Sequence, residues 1–190
     1  MTMRLILTLG AAVLLGAGCA SPREHYYTLV AAGARMAPTD ASPAREVVVE
    51  TVALPESVDR AQLVVEAAPH ERMLLEQERW IEPLAADVQR AVAQRLAALL
   101  PDTLVLIAGD HGVDAAARHL FVQVRDFDLN VGRGTRLEAH WVILDHDRKL
   151  VREGDLTRQE PVASRGYAAL VQAQAAAVAA LADNIEPALR

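Results

Sequence analysis

Apolar residues recur along this chain in two periods, and the switches between them mark most of its elements. In residues 82–100, Leu84, Val88, Ala91, Val92, Leu96 and Leu99 return at the three-and-four spacing of a helix. Asp87, Arg90, Gln94 and Arg95 supply the opposite, polar side. Pro83 falls in the first turn, where no backbone donor is needed, and Pro101 ends the run. Residues 167–189 predict a second long helix, with Leu170, Val171, Gln174, Val178, Leu181 and Ile185 along one side; Gln174 interrupts that stripe. The other apolar runs are short and read as strands: 46–55, closed by Pro55, then 62–67, 72–80 and 103–108. The second and third of these are expected to pair across "APHE". Residues 136–145 place Leu137, Ala139, Trp141 and Ile143 inward, and 149–159 return as a hairpin partner across "HDR". Residues 119–131 break phase. Leu120, Val122 and Val124 share a face, whereas Phe127, Leu129 and Val131 continue on odd numbers. A bulge near Arg125–Asp126 restores a common face, because a one-residue slip flips every following side chain.

Strands, helix, strands, helix is the order of an α+β domain. The expected architecture is a mainly antiparallel mixed sheet with two long amphipathic helices packed on one face. Residues 31–45, rich in Ala, Pro, Gly and polar side chains, read as a loop.

The front of the chain has a different character. Arg4 precedes an apolar stretch over 5–15, then come Gly16, Ala17, Gly18 and the only cysteine, Cys19. A basic start, a short apolar run and small residues are the parts of an export signal; a spanning helix needs about 20 apolar residues. Small residues ahead of Cys19 resemble a bacterial lipobox, although Gly16 stands where Leu is usual and Leu15 is one place back. That resemblance implies cleavage after residue 18, a diacylglycerol thioether on Cys19 and a fatty acyl group such as palmitate on the new N-terminus. Ala20 rather than Asp after the cysteine implies sorting to the outer membrane. The alternative is an ordinary secretory signal with an incidental cysteine. The expected division is therefore a signal peptide over 1–18, lipidated Cys19 with a short tether over 19–25, and one domain over 26–190. The tether spans roughly 25 Å at full extension, so the domain is held close to its membrane.

Composition narrows the function. With 52% hydrophobic and 23% charged residues the chain is of ordinary globular make-up, and its net charge of −6 argues against nucleic acid and anionic lipid surfaces as partners. No serine lies in a G-x-S-x-G elbow, and "VGRGTR" lacks the third glycine of a dinucleotide loop, which leaves a hairpin turn as its reading. Asp145, His146 and Asp147, and Asp110, His111 and Asp114, are metal candidates by residue type, but "LDHDRK" is also the composition of a solvated turn. Glu76 and Glu78 share a strand face and, with Glu82, read as solvated carboxylates. No metal or other cofactor is expected. Trp80, Ile81, Pro83 and Leu84, in "ERWIEPL", stand at a strand-to-helix corner. Trp80 is either a core plug that seats the helix or an anchor facing a partner.

Taken together, the lipobox, "YYTL" (26–29), "VETVALPESVDRAQLVV" (49–65), "RWIEPLAADVQRAVAQRLAALLP" (79–101), "VQVRDFDLNVG" and the Ala-rich last helix resemble the PqiC/YmbA-type ABC-transport auxiliary lipoproteins over nearly the whole chain. The resemblance implies a non-catalytic accessory on the inner leaflet of the outer membrane, facing the periplasm. It implies as partners an MCE-domain (PqiB-like) protein and an inner-membrane permease, and a role in phospholipid movement and envelope integrity. A homo-oligomer is compatible with this. Two other readings remain: a periplasmic lipid carrier or an auxiliary subunit of another ABC-linked transporter, and an envelope enzyme, for which no convergent site appears.

Overall fold

The computed structural model describes residues 23–30, 45–110, 115–162, 164 and 166–190. The expected signal peptide, Cys19 and all but the last residue of the loop expected over 31–45 lie outside these. Eight strands and two helices follow in the order β1 (His25–Tyr27), β2 (Arg45–Val49), β3 (Gln62–Ala68), β4 (Glu71–Trp80), α1 (Leu84–Leu99), β5 (Thr103–Ile107), β6 (Arg118–Asn130), β7 (Gly134–Leu144), β8 (Leu150–Pro161) and α2 (Tyr167–Leu189). The domain is α+β, with one mixed sheet.

The antiparallel pairs are those that alternation and turn residues predicted: β3 with β4, β6 with β7, β7 with β8. Leu137, Ala139, Trp141 and Ile143 are all buried. The register of β6 on β7 shifts between Val124 and Asp126, which keeps Leu120, Val122 and Val124 on the same buried side as Phe127 and Leu129. Val131 lies past the end of β6 and is half exposed, contrary to its place in the apolar series.

The parallel pairs are an addition to the sequence reading. β1 lies beside β4, β2 beside both β5 and β6, and β3 meets the end of β6 at Glu66 and Asn130. One edge of β6 is thus divided between two arms. β2 takes Arg118–Leu120, and β3 takes Asn130. The segment expected to extend β2 to Pro55 instead leaves the strand after Val49 and follows β6 loosely. Glu50 N–H donates to Leu120 O at 2.9 Å, and Ala53 N–H to Val122 O at 3.0 Å.

The helices pack on each other. α1 also packs on β2 and β5, and α2 on β6, β7 and β8. Val49 O, where β2 ends, accepts from Ala108 N–H at 3.0 Å and from Gln89 Nε2 of α1 at 2.9 Å, which ties the helix to the strand. α2 is long and apolar enough to cross a membrane by composition. Here it is a core helix, with Val178, Leu181 and Ile185 sealed against the sheet and Trp141 Nε1 donating to Asn184 at 2.8 Å. Gln174, the break in its stripe, is fully buried, and neither of its amide atoms has a partner.

Candidate functional site

The strand-to-helix corner is built by three segments that meet end to end. β1 pairs in parallel with the last three residues of β4: His25 with Glu78, Tyr26 with Arg79, Tyr27 with Trp80. The backbone pairing continues one step past the strands, as Ile81 N–H donates to Tyr27 O at 2.9 Å. On the other side Trp80 N–H donates to Ala61 O at 2.8 Å. Pro83 follows as the N-cap of α1, an extended residue (φ −53°, ψ 127°) whose side chain accepts no helix N–H.

This geometry divides the four corner residues. Trp80 is 4% exposed, its ring edge-on to Phe127 with centroids 6.2 Å apart, and Leu84 is fully sealed beneath the helix. Ile81 is 65% exposed and Pro83 is also exposed. Strand alternation explains the split between Trp80 and Ile81, because successive side chains leave opposite sides of the backbone, while Leu84 is buried as the first residue of α1.

Two carboxylates that composition placed on solvated faces are instead joints of the corner. Asp87 is fully buried. It accepts from Thr28 Oγ1 at 2.8 Å and from Leu29 N–H at 2.8 Å. The first turn of α1 thereby holds the backbone where β1 ends. Glu78 accepts from the Tyr27 hydroxyl at 2.6 Å, and its other oxygen lies 3.0 Å from His25 Nδ1. Burial pushes the Tyr27 hydroxyl up to about 12, and the bond to Glu78 adds to the effect. Burial works against the Glu78 carboxylate, yet the bonds from Tyr27 and His25 hold it below its ordinary value. At neutral pH the pair is a phenol donating to a carboxylate, a structural joint with neither an activated nucleophile nor a poised base. Glu82 is ion-paired with Arg90, while Glu76 remains exposed.

The other candidates disperse. Asp145 accepts N–H bonds from Asp147 and Lys149, both at 2.9 Å, and so forms the β7–β8 turn. Asp110 caps the turn after β5 by accepting from Ile107 N–H, while 111–114 lie outside the described residues. Among the described residues no group of three or more His, Cys, Asp or Glu is placed to hold a metal.

Two clefts open where β6 turns into β7. One, about 460 Å³, is polar and is lined by Glu66, Asp128, Asn130, Arg133 and Arg136 among others. The second, about 730 Å³, is lined by Val131, Val162, Tyr167 and Leu170 with small residues between them. In the polar cleft, burial and then the neighbouring Asp126 carboxylate push Asp128 up to about 6, against the pull of Arg72, whose Nη2 donates to it at 2.7 Å. An unfolded aspartate titrates near about 3.9, so between roughly pH 4 and 6 the folded state keeps a proton that the unfolded state has lost. Stability contributed at this site is present at the acid end of that window and falls as pH rises through it. The expected result is that the urea midpoint of Asp128→Asn gains on that of the parent as pH rises from 4 to 6. Superimposable profiles would show that the site does not titrate there.

The sequence matches the family of ABC-type transport auxiliary lipoprotein components over residues 27–186. This chain belongs to that family. The match begins at Tyr27, in the corner, and ends within α2. No curated protein matches it. Solved structures similar to this auxiliary lipoprotein include an uncharacterized protein with TM-score 0.74 and 18% identity, covering 89% of this chain and 100% of its own. A Xanthomonas campestris protein of the DUF330 family has TM-score 0.64 and 17% identity, with 85% and 92% of the two chains covered. A PelC dodecamer from Paraburkholderia phytofirmans has TM-score 0.50 and 15% identity, with 80% and 92% covered. At these identities the likeness is one of fold. The family sets the coarse role as an accessory lipoprotein of ABC-type transport, and its description names no catalytic activity.

Proposed function

We propose that this protein is an outer-membrane-anchored periplasmic lipoprotein, acylated at Cys19, that acts as the non-catalytic docking component of an MCE-type (PqiAB-like) phospholipid transport system and so supports envelope integrity. Membership of the auxiliary-lipoprotein family over 27–186 is the observation that carries this reading. The short span from Cys19 to β1 supports it, since a tether of that length keeps the domain at the membrane surface and raises its effective concentration for a partner spanning the periplasm. Ile81 and Pro83 are the corner residues open to such a partner, while Trp80 and Leu84 support them from beneath. A homo-oligomer is compatible with the role.

The test is a pull-down of the lipidated protein from detergent-solubilised envelopes, with Cys19→Ser as the control. Recovery of an MCE-domain protein with its permease is expected. Cys19→Ser should be either soluble or left as the uncleaved precursor, because it carries none of the acyl chains, of which two or more are needed to hold firmly. Processed Cys19→Ser that stays in the membrane would refute the anchor. The second reading is a lipid carrier, favoured by the largely apolar cleft beside Tyr167 and Leu170. Phospholipid co-purifying with the protein in the absence of protein partners would select it.

A further inference from the structure

Resting on acylation of Cys19 as proposed above, we propose that the tip of the β3–β4 hairpin is the surface that the domain turns to the bilayer, with Met73 and Leu74 entering the headgroup layer. Strand direction is the first observation. β1 runs parallel to β4 with His25 opposite Glu78. The chain that precedes β1 therefore arrives from the end of the sheet where β3 turns into β4. Cys19 is six residues before His25, a reach of at most about 20 Å. The rise along β4 from Glu71 to Glu78 is about 23 Å, so the reach of the tether is comparable with the distance from His25 to the level of the hairpin tip.

The second observation is what the hairpin exposes. Met73 and Leu74 are successive strand residues, so they point to opposite faces, and each is 42% exposed. A strand packed on one core buries one face; exposure of apolar side chains on both suits a medium that is partly apolar on both sides. Among the described residues, β4 from Glu71 to Gln77 has no strand on its outer edge. At the same end lies the β6–β7 turn, joined to β3 by Val131 N–H donating to Glu66 O, with Val131 itself half exposed. Glu71, Arg72 and Glu76 flank the pair, a mixed charge suited to zwitterionic headgroups.

Leu150 and Val151 provide an internal comparison. They are also apolar, successive and exposed (58% and 41%), but they follow the β7–β8 turn at the opposite end of the sheet. The tether arrives at the end that carries Met73 and Leu74, not at the end that carries Leu150 and Val151. In the mature lipidated chain Cys19 is blocked as a thioether, so Leu74→Cys or Val151→Cys carries a single free thiol. Each variant is labelled with a fluorophore and reconstituted into phosphatidylethanolamine–phosphatidylglycerol vesicles containing a headgroup-attached quencher, after its melting temperature has been matched to the parent. Quenching several-fold stronger at position 74 than at 151 is expected, and Met73→Cys should behave as 74. Equal quenching, or stronger quenching at 151, would overturn the orientation while leaving the anchor intact. Labelling of Cys19 in the parent chain would instead overturn the anchor, and this proposal with it.

Discussion

Trp80→Ala is expected to be among the most destabilising single substitutions in the domain, at about 3–5 kcal/mol for loss of a buried tryptophan. The ring is 4% exposed and meets Phe127 edge-on, so truncation leaves a void between β4, β6 and the start of α1. In a domain of this size each kcal/mol moves the melting temperature by about 2–4 °C, which puts the expected fall at roughly 6–20 °C. Ile81→Ala is the paired control, because Ile81 is 65% exposed and its truncation should leave the melting curve nearly unchanged. A Trp80→Ala protein with parental stability that no longer captured a transport partner would mean that the ring serves recognition instead of packing.

Asp87→Ala is expected to follow closely. Its carboxylate receives two donors, Thr28 Oγ1 and Leu29 N–H, in a fully buried position. Hydrogen bonds to a charged acceptor contribute about 1.5–3 kcal/mol each, and leaving the Leu29 amide unpaired adds a desolvation cost, so a loss of at least about 3 kcal/mol is expected. Asp87→Asn keeps one acceptor oxygen and should lose about half as much. Urea unfolding gives the total, and hydrogen exchange at Leu29 tests the mechanism, since that amide should lose protection selectively in Asp87→Ala. A Leu29 amide that stays as protected as in the parent would show that the carboxylate does not hold it.

Legibility of the fold followed the range of the interactions. Alternation in 119–131 and 136–145 placed the β6–β7 hairpin and even its bulge, because both are written in side-chain period within a few residues. The period of 167–189 placed α2. The parallel pairs were not legible. β1 on β4 joins residues about fifty apart and β2 on β6 about seventy apart, and parallel neighbours share no turn whose residue types could betray them. Asp87 was missed for a related reason. Its place among Arg90, Gln94 and Arg95 makes it look solvated, and its two donors lie nearly sixty residues earlier. Glu78 was missed because a carboxylate two residues from Glu76 reads as part of an exposed face until Tyr27 is laid against it. At the corner, "ERWIEPL" identified the junction itself, while which of its side chains face inward became visible only once the strand was placed.

The division of one β6 edge between β2 and β3 has a kinetic consequence. β2 has no strand partner until Thr103–Ile107 has been made, and the two arms have nothing to unite them until Arg118–Asn130 follows. Pairings this far apart carry a loop-closure cost that must be met before any contact repays it, which slows folding. Among the described residues before Pro101, β1, β3, β4 and α1 can settle early as the corner, while β2 has no strand to join. A chain ordered in this way closes into its final form only when β6 and the elements after it are available.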